Sequence, residues 1–143
     1  MAKPLMPALD AEQFAVSLDG NVTLRGYQGE VSEGTPLVLL HSINAAPSAM
    51  EIRPLFEHYR DKRPVMAPDL PGFGLSDRPA VSYSAVQYAR WIAEWLKDFK
   101  SPPDLVVLSL TGEFVARAIL EQGTRIRSLT LISPTGMGKA SPP

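Results

Sequence analysis

Leu105-Val106-Val107-Leu108-Ser109-Leu110-Thr111-Gly112-Glu113 sets an unbroken aliphatic run against a serine and then against a helix-forming segment. A short run without polar alternation suits a strand covered on both faces, which means a parallel sheet between helices. From Leu110 to Gln122 the pattern becomes helical, and Gly123 stands where a helix takes its C-terminal cap. Ser109 therefore occupies a strand-to-helix turn. Two readings fit a serine there. It can be an ordinary helix N-cap. It can also be a nucleophile raised above the sheet edge by a sharp turn, with the helix N-terminus favouring developing negative charge.

Working outward, three more apolar runs repeat the strand pattern: Pro36–Leu40, Pro64–Ala67 and Leu129–Ile132. Helical spacing lies between them. Tyr88, Ile92, Trp95, Leu96 and Phe99 recur at three- and four-residue steps within Ser84–Phe99, and Ser84-Ala85-Val86-Gln87 fits a capping box. The aromatic set Tyr88, Trp91, Trp95 and Phe99 reads as core packing, and Lys97–Lys100 as a solvated helix end. Ser48–Tyr59 is a shorter helix with Pro54 expected in its first turn. Ahead of all these, Phe14–Leu18 and Val22–Tyr27 flank Asp19-Gly20-Asn21, a hairpin signal in which Gly20 accepts positive φ. Strand, helix, strand, helix, strand in this order predicts an α/β fold: a mostly parallel sheet flanked by helices, with an N-terminal hairpin.

The 143 residues suit one domain, 1–143, with 1–12 and 134–143 expected as loose tails. Lys and Arg number 14 against 15 Asp and Glu, a net charge of −1, which disfavours nucleic acid and anionic membrane as partners. Cysteine is absent, which excludes disulfides, zinc–cysteine sites and cysteine nucleophiles. His41 and His58 are the only histidines, too few for a three-histidine site, so no metal and no cofactor are expected. No secretory leader and no membrane-length apolar run is present in the sequence, so a cytoplasmic location is the expectation.

Two further segments bear on Ser109. Leu39-Leu40-His41-Ser42-Ile43-Asn44 ends the first buried strand, and Asp69-Leu70-Pro71-Gly72-Phe73-Gly74-Leu75-Ser76-Asp77 follows the second. Together with the serine turn, these resemble the N-terminal half of the α/β-hydrolase family, in its branch of esterases and carbon–carbon bond hydrolases. The resemblance runs from about Phe14 to Gly136. It implies Ser109 as the nucleophile, the backbone N–H groups of Ile43 and Leu110 as the oxyanion hole, and His41 and Ser42 as supports of the oxyanion loop. The Asp69–Asp77 loop would brace the sheet edge. The implied activity is hydrolysis of a small ester or related carbonyl compound through an acyl-enzyme.

The sequence departs from the family pattern at three places. Val107 and Thr111 stand where the G-x-S-x-G elbow has glycines, and Ser42 follows His41 where glycine is usual. A crowded elbow is the expectation, relieved by Gly112. In this fold the acid and the histidine follow the serine along the chain. After Ser109 the acidic residues are Glu113 and Glu121, both in the expected helix, and no histidine follows. His41 and His58 are the remaining candidates for a base. The expectation is a chain cut before its triad and cap are complete, inactive by itself. An open edge at Leu129–Ile132 would then favour self-association. A non-catalytic binding protein on the same fold is the alternative. A nucleotide-binding reading fails: Asp77 stands at the third glycine of G-x-G-x-x-G, and Ser133–Lys139 lacks the first glycine of a P-loop.

Overall fold

The computed structural model describes residues 5–45 and 47–138. Strands β1 (Glu12–Leu18) and β2 (Val22–Gln28) form the expected hairpin, in register Phe14 to Gly26 and Leu18 to Val22. Gly20 and Asn21 both take positive φ in its turn, at 78° and 58°. Next come β3 (Leu37–Leu40), a 3-10 turn (Ala49–Ile52), α1 (Arg53–Tyr59), β4 (Val65–Asp69), α2 (Ala85–Leu96), β5 (Asp104–Leu108), α3 (Thr111–Gln122) and β6 (Ser128–Ile132). Pro54 lies in the first turn of α1, where its missing N–H costs nothing. The Ser84 side chain caps α2 by accepting from the Gln87 N–H at 3.1 Å, and Gly123 closes α3 with φ 67°.

The described strands form one sheet in the order β1-β2-β4-β3-β5-β6. The hairpin joins β4 antiparallel, and β4, β3, β5 and β6 are parallel. Burial on both faces explains the apolar runs. In β3, Val38 and Leu40 join the cluster under α2 and α3, while Leu37 and Leu39 join Ile52 and Phe56 under α1. Tyr88, Trp91 and Trp95 are buried, and Trp95 stacks on Phe14 at 5.7 Å, fastening the hairpin to α2. Phe99 packs edge-on against Trp95.

Residues 1–4 and 139–143, the outer parts of the two expected tails, lie outside the described residues. Within the leading segment Leu9 is buried, the Ala8 N–H donates to the Tyr27 hydroxyl at 2.8 Å, and Glu12 already opens β1. Apolar contact with Tyr27 and Phe56 orders this stretch. At the other end, Pro134–Gly138 runs on without regular structure, and the Thr135 hydroxyl bonds to the Glu113 carboxylate.

The chain order fixes where a site can form. From β3 the chain winds outward to β4, then crosses back over β3 to β5. The helices that follow β3 and β5 thus lie on opposite faces of the sheet. Their entry loops part above the strand ends and leave a crevice, as open α/β sheets do where the winding reverses. His41–Asn44 and Ser109–Leu110 are those loops.

Candidate functional site

The structure brings Ser109 and Ile43 to one cavity of about 220 Å³, and Ile43 and Leu110 to an adjoining one of about 520 Å³. Ser109 has φ 52°, a left-handed conformation that costs an L residue about 1–2 kcal/mol. The turn holds it there by hydrogen bonds on both sides. The Ser109 N–H donates to the Ile132 carbonyl at 2.9 Å, and the Gly112 N–H donates to the Ser109 carbonyl at 3.1 Å. Its hydroxyl has no hydrogen-bond partner among the described residues. Ser109 is not an N-cap, since no side chain caps α3.

The departures from the glycine pattern are absorbed locally. Val107 is an ordinary strand residue, fully buried between β3 and β6. Thr111 is also fully buried, and its hydroxyl donates to the His41 carbonyl at 2.7 Å, joining the two loops. The close approach falls one residue later. A Cβ on Gly112 would stand 2.9 Å from the Leu131 side chain, so glycine at 112 lets α3 pass close to β6.

The backbone N–H groups of Ile43 and Leu110 have no acceptor among the described residues. Buried or half-buried N–H groups are seldom left so. His41 is fully buried behind this loop. Its Nε2 accepts from the Leu70 N–H at 2.8 Å, which places the proton on Nδ1, and Nδ1 donates to the Ser42 carbonyl at 2.7 Å. With both nitrogens bound to backbone, His41 ties β3 to β4 and cannot take a proton from Ser109. His58 is exposed on α1 and stacks edge-on with Tyr59. Neither histidine lines a described cavity with Ser109.

Burial lowers the pKa of His41, against smaller opposing effects of the Ser42 carbonyl, Asp69 and Glu51. The unfolded chain binds a proton at about 6.5 while the fold resists it, so stability rises with pH across that interval and is lost as pH falls below about 6.5. Depressed carboxylates such as Asp77 act lower, below about 4. Urea midpoints are therefore expected to drop between pH 7.5 and pH 5.5, and a His41→Gln variant to lose that slope.

The Asp69–Asp77 loop is a brace. Asp69 is fully buried and its carboxylate accepts from the Ala49 N–H at 2.8 Å and the Leu75 N–H at 2.9 Å. Asp77 accepts from the Thr23 N–H and pairs with Arg25, each at 2.8 Å, so the loop is sewn to β2.

Sequence reasoning missed several lining residues. Glu51, Asn44 and Ser133 line the smaller cavity with Ser109. Ser133 follows β6 with φ 47°, as Ser109 follows β5. Phe73, Tyr83, Tyr88 and Phe114 wall the larger cavity. Tyr88 donates to the Pro71 carbonyl at 2.8 Å, and burial raises its pKa, so it stays a neutral donor. Arg78 stands at the rim, donating to the Gly74 and Ser76 carbonyls, and is in no ion pair among the described residues. Only the Pro-Gly turn residues near Phe73 signalled a loop here; the convergence of Glu51 on Ser42 left no mark in the sequence. Among the described residues no group of three or more His, Asp and Glu side chains could hold a metal ion, and no helix is long and apolar enough to cross a membrane.

A family model for the alpha/beta hydrolase fold matches residues 35–143. The chain is 32% identical over 130 residues to a mouse (Mus musculus) protein named 1-acylglycerol-3-phosphate O-acyltransferase ABHD5, covering 87% of this chain and 36% of that one. It is 27% identical over 123 residues to a haloalkane dehalogenase of Mycobacterium marinum, covering 76% of this chain and 38% of that protein. Among solved structures, a serine hydrolase involved in carbazole degradation, the CarC enzyme, superposes with TM-score 0.78 at 21% identity, over 88% of this chain and 49% of its own. The chain thus spans between about a third and a half of the length of these proteins.

Proposed function

Because the chain belongs to the alpha/beta hydrolase fold family, we propose that Ser109 is the nucleophile of a serine hydrolase that opens a small ester or related carbonyl compound through an acyl-enzyme. The observation that carries this reading is the backbone of Ser109, held at φ 52° with a hydroxyl that has no partner among the described residues. Strained residues of this kind gather at functional sites, and of Ser109 and Ser133, the two serines with positive φ, Ser109 stands at the turn from β5 into α3.

In this reading Ser109 Oγ attacks the carbonyl carbon, the N–H groups of Ile43 and Leu110 take the developing oxyanion, and the bond to the alcohol breaks. Two such donors contribute a few kcal/mol each, about 3 kcal/mol in typical cases. The serine proton goes to a general base and then to the departing alkoxide. His41 and His58 are both engaged elsewhere, so the reading assigns the base to residues other than these. Water, or another hydroxyl compound, then releases the acyl group. The cavity of about 520 Å³ beside the two donors is of a size that takes a small organic group, and its aromatic walls suit an acyl or aryl portion.

Among the described residues no base stands beside Ser109, and a second reading is a non-catalytic protein that binds a carbonyl or anionic ligand at the same N–H groups. One experiment separates them. The natural protein, full-length from its own gene, is treated with a fluorophosphonate and digested, and adducts are mapped by mass spectrometry. A phosphonyl adduct on Ser109, suppressed by a competing p-nitrophenyl ester, is expected. Unmodified Ser109 in folded protein would leave the binding reading standing.

A further inference from the structure

Ser42 occupies the position where the G-x pattern after histidine offers only backbone, and the structure gives its side chain a task. We propose that Glu51 is a positioning residue that clamps the loop presenting the Ile43 N–H, working through Ser42. The inference rests on the oxyanion assignment above and adds the group that holds it.

The geometry is closed on every side. The Glu51 carboxylate takes the Ser42 hydroxyl at 2.8 Å on Oε1 and 2.7 Å on Oε2, and the Ser42 N–H at 3.3 Å on Oε1. The Ser42 Oγ in turn accepts from Asn44 Nδ2 at 2.8 Å, and the Ser42 carbonyl accepts from His41 Nδ1 at 2.7 Å. Ser42 is buried and every polar atom it has is bound. The residues on either side of Ile43 are thus fixed by side-chain hydrogen bonds, Ser42 to the Glu51 carboxyl group and Asn44 to Ser42. Ile43 between them keeps its N–H without a partner among the described residues.

Glu51 gains its reach from the fold. It belongs to the 3-10 turn Ala49–Ile52, whose Ala49 N–H is held by buried Asp69 and whose Ala49 and Ile52 are buried under the sheet. The turn cannot drift, so the carboxylate is delivered to Ser42 from a rigid base. A glycine at 42 would leave Glu51 only the N–H. A serine lets one carboxylate hold the loop at two points, and Glu51 lines the cavity that contains Ser109.

The test uses the full-length protein with E51A, E51Q, S42A and the double variant E51A/S42A. Two readouts are taken: the rate of Ser109 phosphonylation, and the hydrogen-exchange rate of the Ile43 amide against core amides. E51A is expected to slow phosphonylation about tenfold, a part of the roughly 100-fold lost when an oxyanion donor is removed outright. It should also speed exchange at Ile43. E51Q keeps one acceptor and is expected to recover most of both. The double variant should be no slower than E51A, because the two side chains act as one unit. Additive losses, or unchanged rates with a lowered melting temperature alone, would overturn the proposal. If E51A fails to fold, E51Q and S42A decide by the same comparison. If the natural protein is not phosphonylated at Ser109, the hydrolase reading fails by itself. Exchange at Ile43 then decides the clamp: faster in E51A than in E51Q supports it, and equal rates overturn it.

Discussion

Gly74→Ala is expected to destabilise the protein by about 4 kcal/mol or more, the far end of what single substitutions do. Gly74 has φ 49°, and a Cβ there would overlap the Asp69 carboxylate. Left-handed strain alone accounts for about 1–2 kcal/mol. The overlap is the larger part. Asp69 is fully buried and cannot retreat without abandoning the Ala49 and Leu75 N–H groups, and each buried donor left unmade costs about 1–3 kcal/mol. The damage would spread through the Ala49 turn to Glu51 and through Ser76 and Asp77 to β2. Gly123→Ala is the control. Its φ is 67°, yet nothing lies within 4 Å of the added Cβ, so only the strain of about 1 kcal/mol applies. Urea unfolding of the two variants at one pH measures both, and equal losses would show that overlap with Asp69 contributes nothing.

The same contrast explains which features the sequence made legible. Strands β3, β4 and β5 and the helix α2 follow from local patterning: apolar runs, helical spacing and a serine cap are each written within a dozen residues. The Ser109 turn is legible for the same reason, because strand, serine and helix are contiguous. What the sequence hides is contact at a distance. Thr111 reads as a tolerable departure at a glycine position, and only the fold brings the His41 carbonyl to its hydroxyl, 70 residues away. Ser42 reads as a departure from glycine that could hydrogen-bond within its own loop, and the fold supplies the more distant partner, Glu51. Leu9 lies in a stretch rich in proline and without periodicity, yet it finds Tyr27 and Phe56. His41 reads in the sequence as a support of the loop after β3, but its partners, the Leu70 N–H and the Ser42 carbonyl, appear only in the fold.

Ser109→Gly is expected to abolish phosphonylation and hydrolysis while leaving the fold as stable as before or more so. The first half follows from chemistry: without Oγ no acyl or phosphonyl bond can form, and removal of a serine nucleophile lowers turnover on the order of 10⁶-fold where the full machinery is present. The second half follows from the backbone. Glycine adopts φ 52° without the strain that serine bears, about 1–2 kcal/mol, against which stands about 0.5–1 kcal/mol of extra chain entropy in the unfolded state. No hydrogen bond is lost, since the hydroxyl has no partner among the described residues. Ser109→Ala separates the two effects. It removes the same oxygen but keeps the Cβ and the strain, so it should be equally inactive and about 1 kcal/mol less stable than the glycine variant. Thermal unfolding of the three proteins orders them. If Ser109→Gly were the least stable, the turn would not be strained at 109, and the observation on which the nucleophile reading stands would be gone. If it is the most stable, the protein keeps at Ser109 a residue that its fold would be better without, which is the mark of a position retained for chemistry.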